Sequence, residues 1–474
     1  MTQRSRIEYA SAGGLLNTDF IDNAGGVDCS DNEVNIKILL NGVVAAGDLT
    51  EKQRNSLLYD MTGDVAEHVL QHNYRQTQAI SIANYEAVVR IEEYRRLMNS
   101  LELSGKLNRE LEFLPSEEQM VERKSNGKGL TRPELAVLIS YVKGDMKEAL
   151  NQEAFTGDDY VSREIHRVFP ARLSKKFKKE IDKHQLHSEI IATQVANDMI
   201  NHMGISFVAR LHNSTGANPT AIAMAYLIAR DVFKLDYWWE SIENLDYKVS
   251  AATQIDMMTQ LMSLMRRAVR WLIRNRRSEL KVLSDIERFS KGVEQISSDL
   301  PKYLRGSVKE RWAARHSALV DEGVPDDVAA LVSGASFTYA ALGIIEAHES
   351  SNASLERVAE VYYSIGDYLD LNWFAQQIDS LTPSTHWQAL AREAFREDLD
   401  WQQRALTVGL MNMKGASKDM QKRIDAWMEH HADLVARWKQ TLTELKATDD
   451  AEYAMYSVAL RELLDLAQST THAS

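Results

Sequence analysis

The sequence predicts a mostly α-helical protein. Two observations carry this reading. Apolar residues recur at the three-to-four-residue spacing of an amphipathic helix through most of the chain, and its 7 prolines fall mostly at breaks between those segments. In order along the chain, helical spacing appears in Leu57, Leu58, Met61, Val65, Val69 and Leu70, and again in Ile80, Ile82, Tyr85, Val88, Val89, Ile91 and Leu97. The apolar-poor connection over 100–108, followed by Leu114-Pro115-Ser116, marks the first boundary. Ser116 with Gln119 and Thr131 with Glu134 are capping boxes in which each side chain satisfies an unpaired amide of a helix start. Pro133 in the first turn gives up an N–H that would have no partner there. Long amphipathic segments are predicted at 188–211, 219–234, 250–275, 279–298, 384–412 and 417–446. Their breaks fall at Gly216-Ala217-Asn218-Pro219, Leu300-Pro301, Gly323-Val324-Pro325 and Leu381-Thr382-Pro383-Ser384.

Composition bounds the function classes. The 474 residues suggest about three domain-sized units. A hydrophobic content of 44% with 26% charged residues is that of an ordinary globular protein. A net charge of −13 argues against general nucleic-acid binding, which needs a basic face. No apolar run approaches the roughly 20 residues of a membrane span, and the basic start Met1 to Arg6 lacks the apolar core of a signal peptide. The single cysteine, Cys29, excludes an intrachain disulfide framework and fits a reducing compartment, so the cytoplasm is the expected location. Cys29 itself reads as a small buried side chain.

The most informative local feature is Asn23-Ala24-Gly25-Gly26-Val27-Asp28-Cys29-Ser30-Asp31-Asn32-Glu33. It reads as a glycine turn feeding a helix capped by Ser30 and Glu33. Such a helix start gathers unpaired N–H groups and a positive dipole end, which suit a carboxylate or phosphate. Other candidates reduce to structure. His68 and His72 stand four apart, the spacing of a two-point metal ligand, but no H-E-x-x-H and no convergent carboxylate accompany them, so no metal site is expected. Lys175, Lys176, Lys178 and Lys179, and Arg266, Arg267, Arg270, Arg274, Arg276 and Arg277, read as solvated or salt-bridged helix faces. A site for an acidic partner or an anionic effector on the arginine helix is the sharper alternative. Trp238-Trp239 reads as a core or interface anchor.

The run Asn23 to Val27, with Ser30 and Glu33 at their spacing, resembles the corresponding segment of glutamate dehydrogenases. The surrounding phrase Ile21 to Ile38 is similar to the very large bacterial NAD-dependent branch. So are Gly129-Leu130-Thr131-Arg132-Pro133-Glu134-Leu135-Ala136-Val137-Leu138 and Glu189-Ile190-Ile191-Ala192-Thr193-Gln194-Val195-Ala196-Asn197-Asp198. The resemblance covers most of the chain and implies its place in the C-terminal part of such an enzyme. On that basis 1–112 are the end of the catalytic, dinucleotide-binding domain with its return helices, and 113–474 are a helical region with a break near 300–325. Ile7-Glu8-Tyr9-Ala10 and Gly13-Gly14-Leu15-Leu16-Asn17 then read as the last strands of a Rossmann-type α/β domain. No G-x-G-x-x-G is present, and Gly127-Lys128-Gly129 is a linker.

The resemblance implies oxidative deamination of L-glutamate to 2-oxoglutarate and ammonia with NAD as cofactor. It places Asn23 toward the nicotinamide carboxamide, with Ala24 and Gly25 also on the cofactor side. Gly26, Val27 and Ser30 fall on the substrate side, Val27 along the aliphatic stem and Ser30 at the side-chain carboxylate. Asp28-Cys29 departs from the small or neutral residues of shorter family members. A carboxylate at 28 repels an anionic substrate unless it turns away or meets a cation. The family's catalytic lysine and aspartate have no match, so no catalytic residue is expected within this chain, and the chain alone is expected to be inactive. Assembly as a homo-oligomer is expected, without nucleic-acid or membrane partners. The alternative function is a stand-alone helical oligomerisation or binding protein derived from the enzyme's tail.

Overall fold

The computed structural model describes residues 1–276, 280–351, 353–382, 385–413, 419–448 and 452–472. All regular elements among them are helical. The strands expected at the front are therefore not formed among the described residues, and no α/β remnant is seen there. Ile7 to Ala10 lie within α1 (Gln3–Ser11), and Gly13 to Asn17 are irregular. Thr2 accepts from the Ser5 amide at 3.2 Å and Arg4 pairs with Glu8 one turn on, so this segment meets its backbone needs locally.

The chain divides into two compact units, one of residues 1–228 and 272–283, the other of 229–271 and 284–474. In the first, α2 (Asp19–Asp22), α3 (Gly25–Ala45), α4 (Glu51–Asp60), α5 (Thr62–Tyr85), α6 (Ile91–Leu103), α7 (Glu117–Ser125) and α8 (Arg132–Leu150) follow in order. Then come α9 (Glu153–Thr156), a 3-10 segment Val161–Arg167, α10 (Ala171–Lys176), α11 (Lys178–Ile181), α12 (His187–Met203), α13 (Phe207–Thr215) and α14 (Pro219–Val232). The long helix α8 packs against α5, α12 and α1, and α5 also receives α2 and α3.

Both expected capping boxes at Ser116 and Thr131 form. The second is reinforced. Glu134 is fully buried, accepts the Thr131 amide at 2.7 Å and holds Arg123 through two bonds of 2.7 and 2.8 Å. Gly129 in the linker lies against the backbone at Ala87, where a Cβ would come within 2.6 Å of the carbonyl carbon. The predicted segment 188–211 is two helices, because Gly204 adopts a φ of 85° after α12. Gly216, with φ 69°, closes α13, and the Asn218 side chain accepts the Ala221 amide at 2.8 Å to start α14.

The chain continues with α15 (Leu235–Glu243), α16 (Ala251–Arg276), α17 (Val282–Tyr303), α18 (Gly306–Asp321), α19 (Asp326–Thr338) and α20 (Ala341–Glu349). It ends with α21 (Leu355–Tyr368), α22 (Leu371–Ser380), α23 (His386–Asn412), α24 (Met420–His430), α25 (Ala432–Lys446) and α26 (Tyr453–His472). Pro301 does not break the chain where expected. It sits inside the last turn of α17, where it gives up one i→i−4 hydrogen bond, and the helix ends two residues later at Tyr303. The predicted segment 417–446 is α24 and α25, parted at His431.

The core of the second unit gathers Phe374, Trp427 and Trp438 from three helices. Buried Trp438 donates its indole N–H to the Leu369 carbonyl at 2.9 Å and meets Phe374 edge-on, with ring centroids 5.4 Å apart. Trp239 is buried in the same unit, as its anchor reading requires. Gly409 admits α26 close to α23, since a Cβ there would meet the Thr470 carbonyl oxygen at 3.0 Å. No single helix among the described residues is long and apolar enough to cross a membrane.

Replacing Glu134 by Ala removes a cap and leaves the Arg123 guanidinium without its partner. We expect a loss of roughly 3 kcal/mol, read as a lower urea midpoint, and an unchanged midpoint would refute the role given to Glu134.

Candidate functional site

The segment leading to Asn23 is braced by polar contacts from α1 and α8. Arg6 pairs with Asp19 and donates to the Asn17 carbonyl at 2.9 Å, and buried Asn17 donates to Asp22 at 2.8 Å. Arg132, at the start of α8, donates to the Asn17 side chain at 3.0 Å and to Ser81 at 3.1 Å. Ile21 anchors this turn from the apolar side, being buried to 1% exposure.

Beyond Asn23 the local structure differs from the expected turn. Helix α3 begins at Gly25, with Ala24 as its N-cap, so both glycines are the first helical residues. Ser30 therefore lies inside the helix, where its hydroxyl donates to the Val27 carbonyl at 2.7 Å. The Ser30–Glu33 capping box does not form, and Glu33 instead pairs with Lys37. Helical continuation satisfies the amides that the box would have served. Cys29 is exposed, which corrects its expected burial. Packing and backbone angle leave glycine unexplained at both positions. A Cβ on Gly25 would make only ordinary contacts, the nearest at 3.7 Å, and one on Gly26 would meet nothing within 4 Å.

Asn23, Ala24 and Val27 line one wall of a cavity of about 310 Å³. Gly25, Gly26 and Ser30 are not among its lining residues. Val27 is 70% exposed and offers an apolar strip, and the Asn23 side chain makes no hydrogen bond among the described residues. The opposing walls come from α5, α8 and α12, which supply His72, Arg75 and Gln76, then Lys143, then Gln194, Asn197, Asp198, Asn201 and His202. The α12 residues fall at one helix face, three or four positions apart.

Charges in this cavity are mostly matched. Asp28 meets His72 Nδ1 at 2.9 Å, which turns its carboxylate toward a partner and away from open space. His72 stacks on His68, whose pKa is lowered by burial and by its neighbour His72. Tyr226 donates to Asp198 at 3.1 Å and lies 2.9 Å from His202 Nδ1. Lys143 is the exception. Its only polar contact among the described residues is a long one, to the Gln76 side-chain oxygen at 3.4 Å. Burial without a counter-ion lowers its amine to about 7.

Sequence reasoning missed Lys143, although a signal was present. Ala136, Ile139, Met146 and Leu150 are buried on α8, and position 143 falls on that same stripe. A lysine on the apolar stripe of an amphipathic helix costs stability unless something requires it.

The basic runs behave as expected of ordinary surfaces. Lys175, Lys176, Lys178 and Lys179 are exposed around buried Phe177. Arg267 pairs with Asp379 at 2.9 Å, and Arg270 pairs with Glu393 at 3.0 Å and with Glu397. Arg277 lies outside the described residues. A smaller cavity of about 110 Å³ in the second unit is lined by Arg267 and Arg396. There, Arg396 reaches Asp379 at 3.5 Å, Asp400 at 3.7 Å and the Tyr339 hydroxyl at 3.1 Å. Two aspartates compensate these cations, unlike the amine of Lys143.

Two family models match. "Glutamate dehydrogenase, C-terminal" covers residues 127–465, and "Bacterial NAD-glutamate dehydrogenase, catalytic domain" covers residues 1–83. The chain belongs to the large bacterial NAD-dependent glutamate dehydrogenase family. It is 52% identical over 472 residues to the NAD-specific glutamate dehydrogenase of Pseudomonas aeruginosa, covering 100% of this chain and 29% of that protein. It is 46% identical over 473 residues to the Halomonas elongata protein of the same name, with the same coverage. The Mycobacterium tuberculosis relative is 31% identical over 463 residues, 98% of this chain and 28% of that protein. The chain thus spans under a third of the length of these relatives. The cavity wall from Asn23 to Val27 falls in the part matching the catalytic domain, whereas Lys143 falls in the part matching the C-terminal family.

The unpaired amine makes a stability prediction. Lys143→Met should stabilise the chain by roughly 1–3 kcal/mol at neutral pH, measured by urea unfolding. Because the folded pKa lies below the ordinary 10.5, the unfolded chain binds the extra proton between about pH 7 and 10.5. The gain should be full below pH 7 and fade as pH rises toward 10.5. A destabilised variant would show that Lys143 supports the fold.

Proposed function

We propose that this chain acts within a full-length NAD-dependent glutamate dehydrogenase that converts L-glutamate to 2-oxoglutarate and ammonia. The observation that carries the reading is a cavity wall made of Asn23, Ala24 and Val27, in the part of the chain that matches the catalytic domain. When bound, NAD supplies the acceptor for the hydride leaving the α-carbon of glutamate. The unengaged Asn23 amide suits a carboxamide, which both donates and accepts hydrogen bonds. Glycine at 26 leaves backbone accessible where no described residue comes within 4 Å of a Cβ, as close approach of a ligand or another part of the enzyme requires. Asp28 is turned toward His72, which meets its carboxylate at 2.9 Å.

In this reading the residues that bind the dinucleotide phosphates, and the lysine and aspartate that move protons, belong to other parts of the enzyme. Val27 lies along the aliphatic stem, Ser30 contributes on the substrate side, and Ala24, Gly25 and Gly26 keep the backbone close to the reactants. Residues 1–112 complete the catalytic domain, and 113–474 serve assembly or regulation. The active form is a cytoplasmic homo-oligomer, a location that suits a chain with one exposed, unpaired cysteine.

The full-length protein should reduce NAD when given L-glutamate, followed by absorbance of NADH. Asn23→Ala should lower kcat/KM for NAD about tenfold, the loss of one hydrogen bond near the reacting ring. Ser30→Ala should raise the KM for glutamate. Unchanged constants in either variant would remove that residue from the site.

A further inference from the structure

We propose that Lys143 binds a carboxylate of the substrate in the cavity opposite Asn23 and Val27. The inference rests on the glutamate dehydrogenase reading above and adds a binding residue from the helical region. Three features of the molecule support it. Lys143 and Val27 line the same cavity, so an amino acid whose stem lies on Val27 is within the space the amine faces. Among the described residues no carboxylate pairs with the amine, while Asp28 and Asp198, which line the same cavity, each have partners. Position 143 also belongs to the buried stripe of α8, where an aliphatic residue would pack without penalty.

A carboxylate ligand completes this arrangement. It gives the ammonium its missing counter-ion and, by favouring the charged form, draws the amine back to full protonation. Gln76, already in contact with Lys143, orients the amine from the other side. A lysine kept only for structure would instead be held by a short ion pair, as Arg123 is held by Glu134.

The test is steady-state kinetics of the full-length parent and its Lys143→Met variant at saturating NAD, with thermal melts of both. Glutarate, a dicarboxylate without the amine, serves as competitive inhibitor. We expect the KM for glutamate and the Ki for glutarate to rise about tenfold or more in the variant, with a melting temperature no lower than the parent's. 2-Aminopentanoate, which lacks the distal carboxylate, identifies the end that is held. Its KM unchanged by the substitution assigns Lys143 to the distal carboxylate, and a parallel rise assigns it to the α-carboxylate. An active variant with unchanged KM and Ki overturns the proposal, and so does a weakened variant that melts below the parent. If the parent itself fails to oxidise glutamate, the functional reading falls and the lysine's role falls with it.

Discussion

The start of α8 is the constraint on which the first unit depends. Glu134 is buried there as a carboxylate, which is tolerable only because the Thr131 amide and both arms of the Arg123 guanidinium meet it. That cluster sets the register of α8. Register in turn places Arg132 against Asn17 and Ser81, and Lys143 three turns further on in the cavity. One helix thereby braces the segment before Asn23 and places Lys143 in the facing wall, beside residues of α5 and α12.

The cavity also shows how a polar site is kept affordable in a helical protein. Most of its carboxylates have polar partners, Asp28 at His72 and Asp198 at Tyr226 and His202. The arginine cavity of the second unit follows the same rule, with Asp379 and Asp400 against Arg267 and Arg396. Lys143 departs from it. Native chains tend to carry such a cost where a ligand repays it, since selection for stability alone would place an aliphatic residue there.

Much of the helical architecture was legible in the residues. The Thr131 and Ser116 boxes, and the Gly216–Pro219 break with its Asn218 cap, are local devices whose atoms lie within a few positions of each other, so their outcome does not await the fold. Local devices misled where a competing local choice was equally good. Ser30 and Glu33 had the spacing of a box, yet the helix could start earlier at Gly25, and once it did Ser30 had no unpaired amide to serve. Ile7 to Ala10 could have been a strand only with a neighbouring strand to pair with, and none is formed among the described residues.

The sequence by itself determined the helical class, the Gly216–Pro219 break and the family, because each depends on short-range spacing or on a contiguous string of residues. Tertiary structure alone decided what faces the Asn23–Val27 segment. Asp28 met a histidine 44 positions away, Asn17 met Arg132 across 115 positions, and Lys143 met Gln76 across 67. Such pairings follow from how helices stack, and periodicity along one helix says which face is buried without saying against what. That is why the sequence reading passed over Lys143, which became a candidate binding residue only when the cavity was seen.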